Sequence, residues 1–277
     1  MAETGFVETN GARLRCEVAG QGEALVFIHA GIADRSMWDP QVEAFQGQYR
    51  VIRYDTRGYG ESETLESVSY SNRADLRALL DTLRVDKAVL IGCSRGGQIA
   101  IDFTLESPER VRALVPVCAG LPGYDYTHVV PPEEEALFNE AEAAETAAET
   151  TGDWARVAEF DVLVWADGVA RGGQAPDAVR EKVRQMCEKI YARGDDPGTP
   201  IVLDPPAGKR LSEIAVPALV IVGEYDTSHA RAAADAMAGG IAGARKVMIR
   251  NAAHLPSMEH PALFNQLLGD FLASLPT

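Results

Sequence analysis

Val89-Leu90-Ile91-Gly92-Cys93-Ser94-Arg95-Gly96-Gly97 is an apolar run that enters a Gly-x-Ser-x-Gly-Gly turn. The run reads as a buried strand, and Arg95 to Glu106 as a helix stopped near Pro108. Glycines at 92 and 96 leave room where a sharp strand-to-helix reversal presses backbone against backbone and strains its central residue. Ser94 is thereby exposed at a helix N-terminus, where unpaired N–H groups and the dipole can meet developing negative charge. A five-residue pattern also arises by chance, so its meaning depends on the rest of the chain.

Working outward, Lys87–Ile91 is flanked by a helix over Ser71–Arg84 and a strand over Val111–Val117. Further upstream, Met37–Gln48 has helical spacing and Tyr49–Tyr54 reads as a strand. Ala24-Leu25-Val26-Phe27-Ile28 is a nearly continuous apolar strand ending at His29-Ala30-Gly31. Phe6–Thr9 and Arg13–Val18 alternate and are joined by Asn10-Gly11, a dipeptide that tolerates the positive φ of a tight hairpin. Downstream, Ala218–Val222 is a strand ending in Gly223-Glu224-Tyr225-Asp226, followed by a helix over His229–Met237. Lys246–Ile249 is the last strand and Pro261–Leu275 the closing helix. Strands alternating with helices connect by right-handed crossovers into a parallel sheet covered on both faces. The fold class is therefore α/β, a mostly parallel twisted sheet of about eight strands with helices on both faces.

The alternation stops at Gly120-Leu121-Pro122-Gly123 and resumes at Val216-Pro217. Leu137, Ala141, Ala144 and Ala148 share a helical face, as do Val179, Val183, Met186 and Ile190, with breaks at Gly172-Gly173 and Asp195–Gly198. A stretch of roughly 90 residues is too long for a loop. Residues 121–211 are read as a helical insertion, and 1–120 with 212–277 as the core domain.

With 277 residues, 46% of them apolar and 24% charged, the chain suits one large core carrying an inserted subdomain. A net charge of −15 argues against nucleic acid or an anionic membrane as a partner. Much of it is local: between Ala113 and Ala155 stand nine acidic residues and no Lys or Arg, which reads as a solvated helix face. Met1–Asn10 has neither a basic start nor an apolar run, and no stretch approaches a membrane span. A cytoplasmic protein is expected, and a homodimer is compatible with the composition. Cys16, Cys93, Cys118 and Cys187 lack metal-site spacing and lie in apolar surroundings, so reduced buried thiols are expected and no metal site.

Ligands of open parallel sheets gather at the carboxyl ends of the strands. Four strands here end on His29-Ala30-Gly31, on Ser94, on Asp226 and, just beyond the last, on His254. A serine hydroxyl becomes a nucleophile when a base takes its proton, the base needs a carboxylate to fix its tautomer, and the oxyanion needs N–H donors. Ser94, Asp226 and His254 supply the three side chains.

On these residues the sequence resembles the α/β-hydrolases, in which a nucleophile elbow, a Gly-Glu-x-Asp turn and a late His follow in this order. The resemblance covers about residues 5–120 and 212–275 and extends to Asp55-Thr56-Arg57-Gly58-Tyr59-Gly60-Glu61-Ser62 and to His254-Leu255-Pro256-Ser257-Met258-Glu259-His260-Pro261. It implies a helical cap over the pocket, Ser94 as nucleophile, His254 as base, Asp226 as its orienting acid, and the backbone N–H groups of Gly31 and Arg95 as the oxyanion hole. No cofactor is implied. The chain departs from the family where His29-Ala30 replaces His-Gly and Ala253-His254 replaces Gly-His, changes expected to shift loops slightly.

Rival residues have plainer roles. His29 resembles the structural turn histidine, His229 follows Asp226 too closely, His128 falls in the insertion and His260 starts a helix. Glu224 is the competing acid, Cys93 is expected to pack inward, and Asp55 and Arg57 are read as structural. Arg95 stands where relatives often carry an apolar residue. Some dehalogenases of the family carry Arg after an Asp nucleophile and hold an acid substrate with it, so Arg95 is a candidate for a substrate carboxylate, against pairing with a local carboxylate or pointing to solvent. Trp165 is a candidate pocket residue, or packs the insertion. The expected activity is hydrolysis of a small carboxylic ester or lactone through an acyl-enzyme, closest in look to carboxylesterases and 3-oxoadipate enol-lactonases. The alternatives are a carbon–carbon bond hydrolase or cofactor-free haloperoxidase or perhydrolase on the same triad, or a ligand receptor of low turnover.

Overall fold

A computed structural model describes residues 3–276 apart from 128, 170 and 172. The hairpin is β1 (Glu3–Thr9) and β2 (Ala12–Ala19), paired antiparallel with Thr9 opposite Ala12 and Gly11 at φ +71°. The other main strands are β3 (Ala24–Ile28), β4 (Arg50–Tyr54), β5 (Ala88–Cys93), β6 (Val111–Val117), β7 (Leu219–Gly223) and β8 (Arg245–Ile249). Their order across the sheet is β1-β2-β4-β3-β5-β6-β7-β8, with β2 antiparallel to β1 and β4 and the remaining pairs parallel. Every residue of β3, β5 and β7 is buried, the burial that a strand covered on both faces requires.

Successive strand residues feed opposite layers. Val26, Ile28, Leu90 and Val220 pack with Leu76 and Leu79 of α2 (Asn72–Thr82), Ile99 and Phe103 of α3 (Arg95–Glu106), and Met237 of α7 (Ser228–Gly240). Leu25, Phe27, Ile91 and Ile221 pack on the other side with Phe45 of α1 (Asp39–Phe45) and with Phe264, Leu268 and Phe271 of α8 (Pro261–Ala273). The helix expected over Met37–Gln48 is shorter. Residues Arg35–Trp38 form a 3₁₀ turn capped by Asp34, and α1 begins afresh at Asp39 with Pro40 in its first turn, where a missing N–H costs nothing.

Between β6 and β7 lie α4 (Pro132–Thr151), α5 (Trp154–Asp161) continuing as a π-helical segment Val162–Gly168, and α6 (Asp177–Tyr191). Val179, Val183 and Met186 are buried as their spacing predicts. Gly172 of the expected break lies outside the described residues, and the chain beyond α6 is irregular through Asp195–Gly198. The acidic face of α4 is exposed at Glu133, Glu135, Glu140 and Glu142, but Glu134 is buried. Its carboxylate accepts from the Ser228 N–H (2.8 Å) and hydroxyl (2.7 Å) at the start of α7, tying the insertion to the core. All four cysteines are free and buried, and among the described residues no helix is long and apolar enough to cross a membrane.

Candidate active site

β5 delivers Ser94 to the N-cap of α3 with φ 52° and ψ −117°, a strained conformation for any residue but glycine. The surroundings explain how it persists. A Cβ on Gly92 would overlap the Gly96 carbonyl, one on Gly96 would overlap the carbonyls of Ile28 and His29, and one on Gly97 would come within 2.5 Å of the Ala119 Cβ. The Ser94 N–H donates to the Val117 carbonyl at 2.8 Å, locking the turn to β6. Among the described residues the Ser94 hydroxyl has no hydrogen-bond partner. Apo sites often show long or unformed catalytic hydrogen bonds.

The turn after β7 is stitched to the loop after β8: Glu224 N–H donates to Ile249 O (3.0 Å) and Tyr225 N–H to Ala252 O (2.8 Å). This brings Asp226 and His254 together. Asp226 Oδ1 accepts from His254 Nδ1 at 2.7 Å and from the Thr227 N–H at 2.7 Å, with the Asp226 side chain fully buried. Since a carboxylate only accepts, Nδ1 is the donor and the Nε2 lone pair is left for proton transfer. The rival Glu224 is turned away, accepting from the Asn251 N–H at 2.9 Å.

The ring of His254 lies against Trp165, with centroids 4.6 Å apart, and the His254 N–H donates to the Trp165 carbonyl at 3.3 Å. Trp165 thus meets the site itself, and Phe138 of α4 stands 6.0 Å from its ring. Behind His254, Ala253 N–H donates to Glu259 (2.8 Å), which is ion-paired with Arg171. The buried Cys93 thiol donates to the His254 carbonyl at 3.5 Å, and burial pushes its pKa well above the ordinary value, which removes it as a nucleophile.

Gly31 faces Arg95: a Cβ on it would lie 3.8 Å from the Arg95 Cβ. The Ala30 N–H is engaged by the Met37 sulfur at 3.3 Å, whereas the Arg95 N–H belongs to the first turn of α3, which has no internal acceptor for it. His29 is fully buried, accepts from the Thr56 N–H (3.0 Å) and is held down to about pKa 4 chiefly by burial, a neutral structural residue. Asp55 accepts the N–H groups of Arg35 and Glu61, and Arg57 pairs with Asp75, so both are structural. His229 meets the Tyr126 ring edge-on with centroids 4.8 Å apart, His260 bonds the Asn251 carbonyl, and His128 lies outside the described residues.

The Arg95 guanidinium neither points to solvent nor meets a carboxylate. It donates to Thr56 Oγ1 (2.6 Å) and Asn72 Oδ1 (3.2 Å) and covers the Tyr59 ring at 4.6 Å; among the described residues no carboxylate is within ion-pair range. It borders a cavity of about 400 Å³ with Asn72, Gln98, Ile99, Asp102 and Ile201. Burial lifts Asp102 to about pKa 6, and its Oδ1 has no partner.

Cys118, one residue past β6, is the buried free thiol its apolar surroundings predict, and it also stands at a fifth strand end beside the site, a place its sequence context does not indicate. Its thiol, Asp226 and His254 bring ligand atoms within 4.8 Å of one another, a cluster of metal-ligating type in which two members already bond each other.

The α/β hydrolase fold family model matches residues 23–261. The 2-hydroxy-6-oxononadienedioate/2-hydroxy-6-oxononatrienedioate hydrolase of Klebsiella pneumoniae is 30% identical over 96% of this chain and 94% of its own length. Carboxylesterase YbfK of Bacillus subtilis is 27% identical over 98% and 88%, and 3-oxoadipate enol-lactonase 1 of Acinetobacter baylyi is 27% identical over 91% and 89%. With the sheet order and strand-end turns described above, these matches identify the chain as a member of the α/β-hydrolase fold family.

Proposed function

We propose that the protein is a serine hydrolase that cleaves a small carboxylic ester or lactone through an acyl-enzyme. The observation that carries this reading is the buried 2.7 Å bond from His254 Nδ1 to Asp226, at the same strand ends as the strained Ser94 turn. His254 Nε2 takes the Ser94 proton as Oγ adds to the carbonyl and returns it to the leaving oxygen; water then repeats the cycle on the acyl-enzyme. Asp226 holds the imidazole in the required tautomer and balances the imidazolium. The N–H groups of Gly31 and Arg95 receive the oxyanion. Residues 121–211 form a cap on the core domain of 1–120 and 212–277, with Trp165 as the part that reaches the base.

The guanidinium of Arg95, on the residue that follows Ser94, uses neutral partners for two of its five N–H donors, leaving it able to hold a substrate carboxylate. Two relatives are named for diacid substrates, a dienedioate and an adipate, which fits this preference. The first of those names also favours a second reading, carbon–carbon bond hydrolysis on the same triad, and product analysis on a 1,5-diketone acid separates the two. Ser94→Ala tests the triad: turnover of a short p-nitrophenyl ester should fall about a millionfold, the usual cost of removing a triad nucleophile. Unchanged turnover refutes the mechanism.

A further inference from the structure

The buried carboxylate of Asp226 is unevenly served. Oδ1 accepts two N–H groups, whereas Oδ2 has no hydrogen-bond partner among the described residues. A buried acceptor left bare is destabilising, and more so when it carries charge. Cys118 stands beside this carboxylate, fully buried and held at φ +48° beyond the end of β6, where an L side chain is rarely found. This backbone turn, fixed by the Cys118 N–H to Ile221 O bond (2.8 Å), aims the thiol at the acid–base pair. Sγ lies within 4.8 Å of both the Asp226 carboxylate and a His254 ring nitrogen, and 3.8 Å from the Ala253 carbonyl. Burial first, then the Asp226 charge, pushes the Cys118 thiol well above its ordinary value, so its proton stays on sulfur.

We propose that Cys118 is a positioning residue of the acid–base pair: its S–H donates to Oδ2 of Asp226 and fixes the carboxylate plane against His254 Nδ1. The proposal rests on the triad reading above. A thiol is a weak donor, but a charged acceptor strengthens the bond relative to the neutral Ala253 carbonyl. Cys93 braces the same loop from β5, through the His254 carbonyl, so thiols from two adjacent strand ends support the two partners of one hydrogen bond. The other titratable groups around the pair are Glu259 with Arg171 beneath Ala253, and Glu134 of α4 on Ser228. They bond each other, backbone or a hydroxyl group, not Oδ2.

Removing the S–H makes the carboxylate the stronger acceptor, which favours the imidazolium. The acid limb of kcat/KM against pH for a p-nitrophenyl ester should then rise by about half a pH unit in Cys118→Ala, the size a net hydrogen bond of under 1 kcal/mol converts to. Cys118→Ser keeps a donor and should leave the limb at or below the wild-type position. The limb position does not depend on the fraction of enzyme that is folded. A limb that stays put in Cys118→Ala, or moves equally in both variants, overturns the proposal, because a packing role would lower rates without sorting the variants by donor. If neither variant folds, the wild-type S–H stretching band decides: a red-shifted component that moves back in Asp226→Asn supports the bond, and its absence refutes it. Turnover surviving in Ser94→Ala would remove the triad reading itself, while the S–H band would still report on the contact.

Discussion

Replacing Arg95 by leucine should separate anionic from neutral substrates. The structure sets the size of the effect. The guanidinium is half-buried, has no carboxylate partner, and keeps three N–H donors beyond those given to Thr56 and Asn72. A hydrogen bond to a charged group is worth about 1.5–3 kcal/mol, so its loss should lower kcat/KM for a carboxylate-bearing ester by roughly 10- to 150-fold. The matched assay compares p-nitrophenyl esters of a glutaric half-acid and of valeric acid. The neutral ester should change only a few-fold, through the Thr56 hydroxyl that also contacts His29 (3.0 Å). Arg95→Lys should fall between, since an ammonium keeps the charge but not the fork. Added salt should weaken the anionic ester's advantage in the wild type and leave the leucine variant unmoved. Equal losses on both esters would refute carboxylate recognition by Arg95.

Three further outcomes follow from the packing. Asp102 is pushed up to about pKa 6 in the fold, so the folded state holds its proton more tightly and the residue costs stability as pH rises from about 4 to 6; Asp102→Asn should therefore raise the Tm at pH 8 and change it little at pH 4. Glu134→Ala strips the buried start of α7 of two acceptor contacts and should cost about 1–3 kcal/mol in chemical unfolding, an unchanged midpoint counting against the latch. Gly96→Ala drives a methyl into the carbonyls of Ile28 and His29; loss of soluble protein or a large fall in Tm is expected, and a Tm within a degree of wild type would contradict the close approach.

The sheet is legible because β3, β5 and β7 are covered on both faces and so appear as unbroken apolar runs, while glycines mark the turns at which backbones touch. The pairing of Asp226 with His254 was within reach for the same reason, since both follow strands at one edge of the sheet. Four features were not. Periodicity over Met37–Gln48 is continuous across a 3₁₀ turn and a helix, because both bury residues at similar spacing. The neutral partners of Arg95 come from Thr56 and Asn72, contacts of tertiary origin with no local signature. Cys118 has an unremarkable residue type, and its relevance depends on a positive φ that no neighbouring residue announces. Reading every strand end, and not only those bearing a familiar catalytic residue, would have flagged it. Charge counting also treated the acids of α4 alike, whereas burial of Glu134 depends on where α7 begins.

Gly168 adopts φ +84° where a side chain would run into the Tyr225 carbonyl and the Ala253 methyl, three residues after Trp165 gives its carbonyl to the His254 N–H. The helical segment is thus seated by its backbone on the two loops that carry Asp226 and His254. Specificity grafts between relatives usually treat such segments as exchangeable modules, cut at their chain junctions. Here a donor segment would need a glycine and a free carbonyl at these two places, or it would dislodge His254 on grafting. The practical unit of exchange is the segment together with residues 223–226 and 251–254, which lie far from it in sequence.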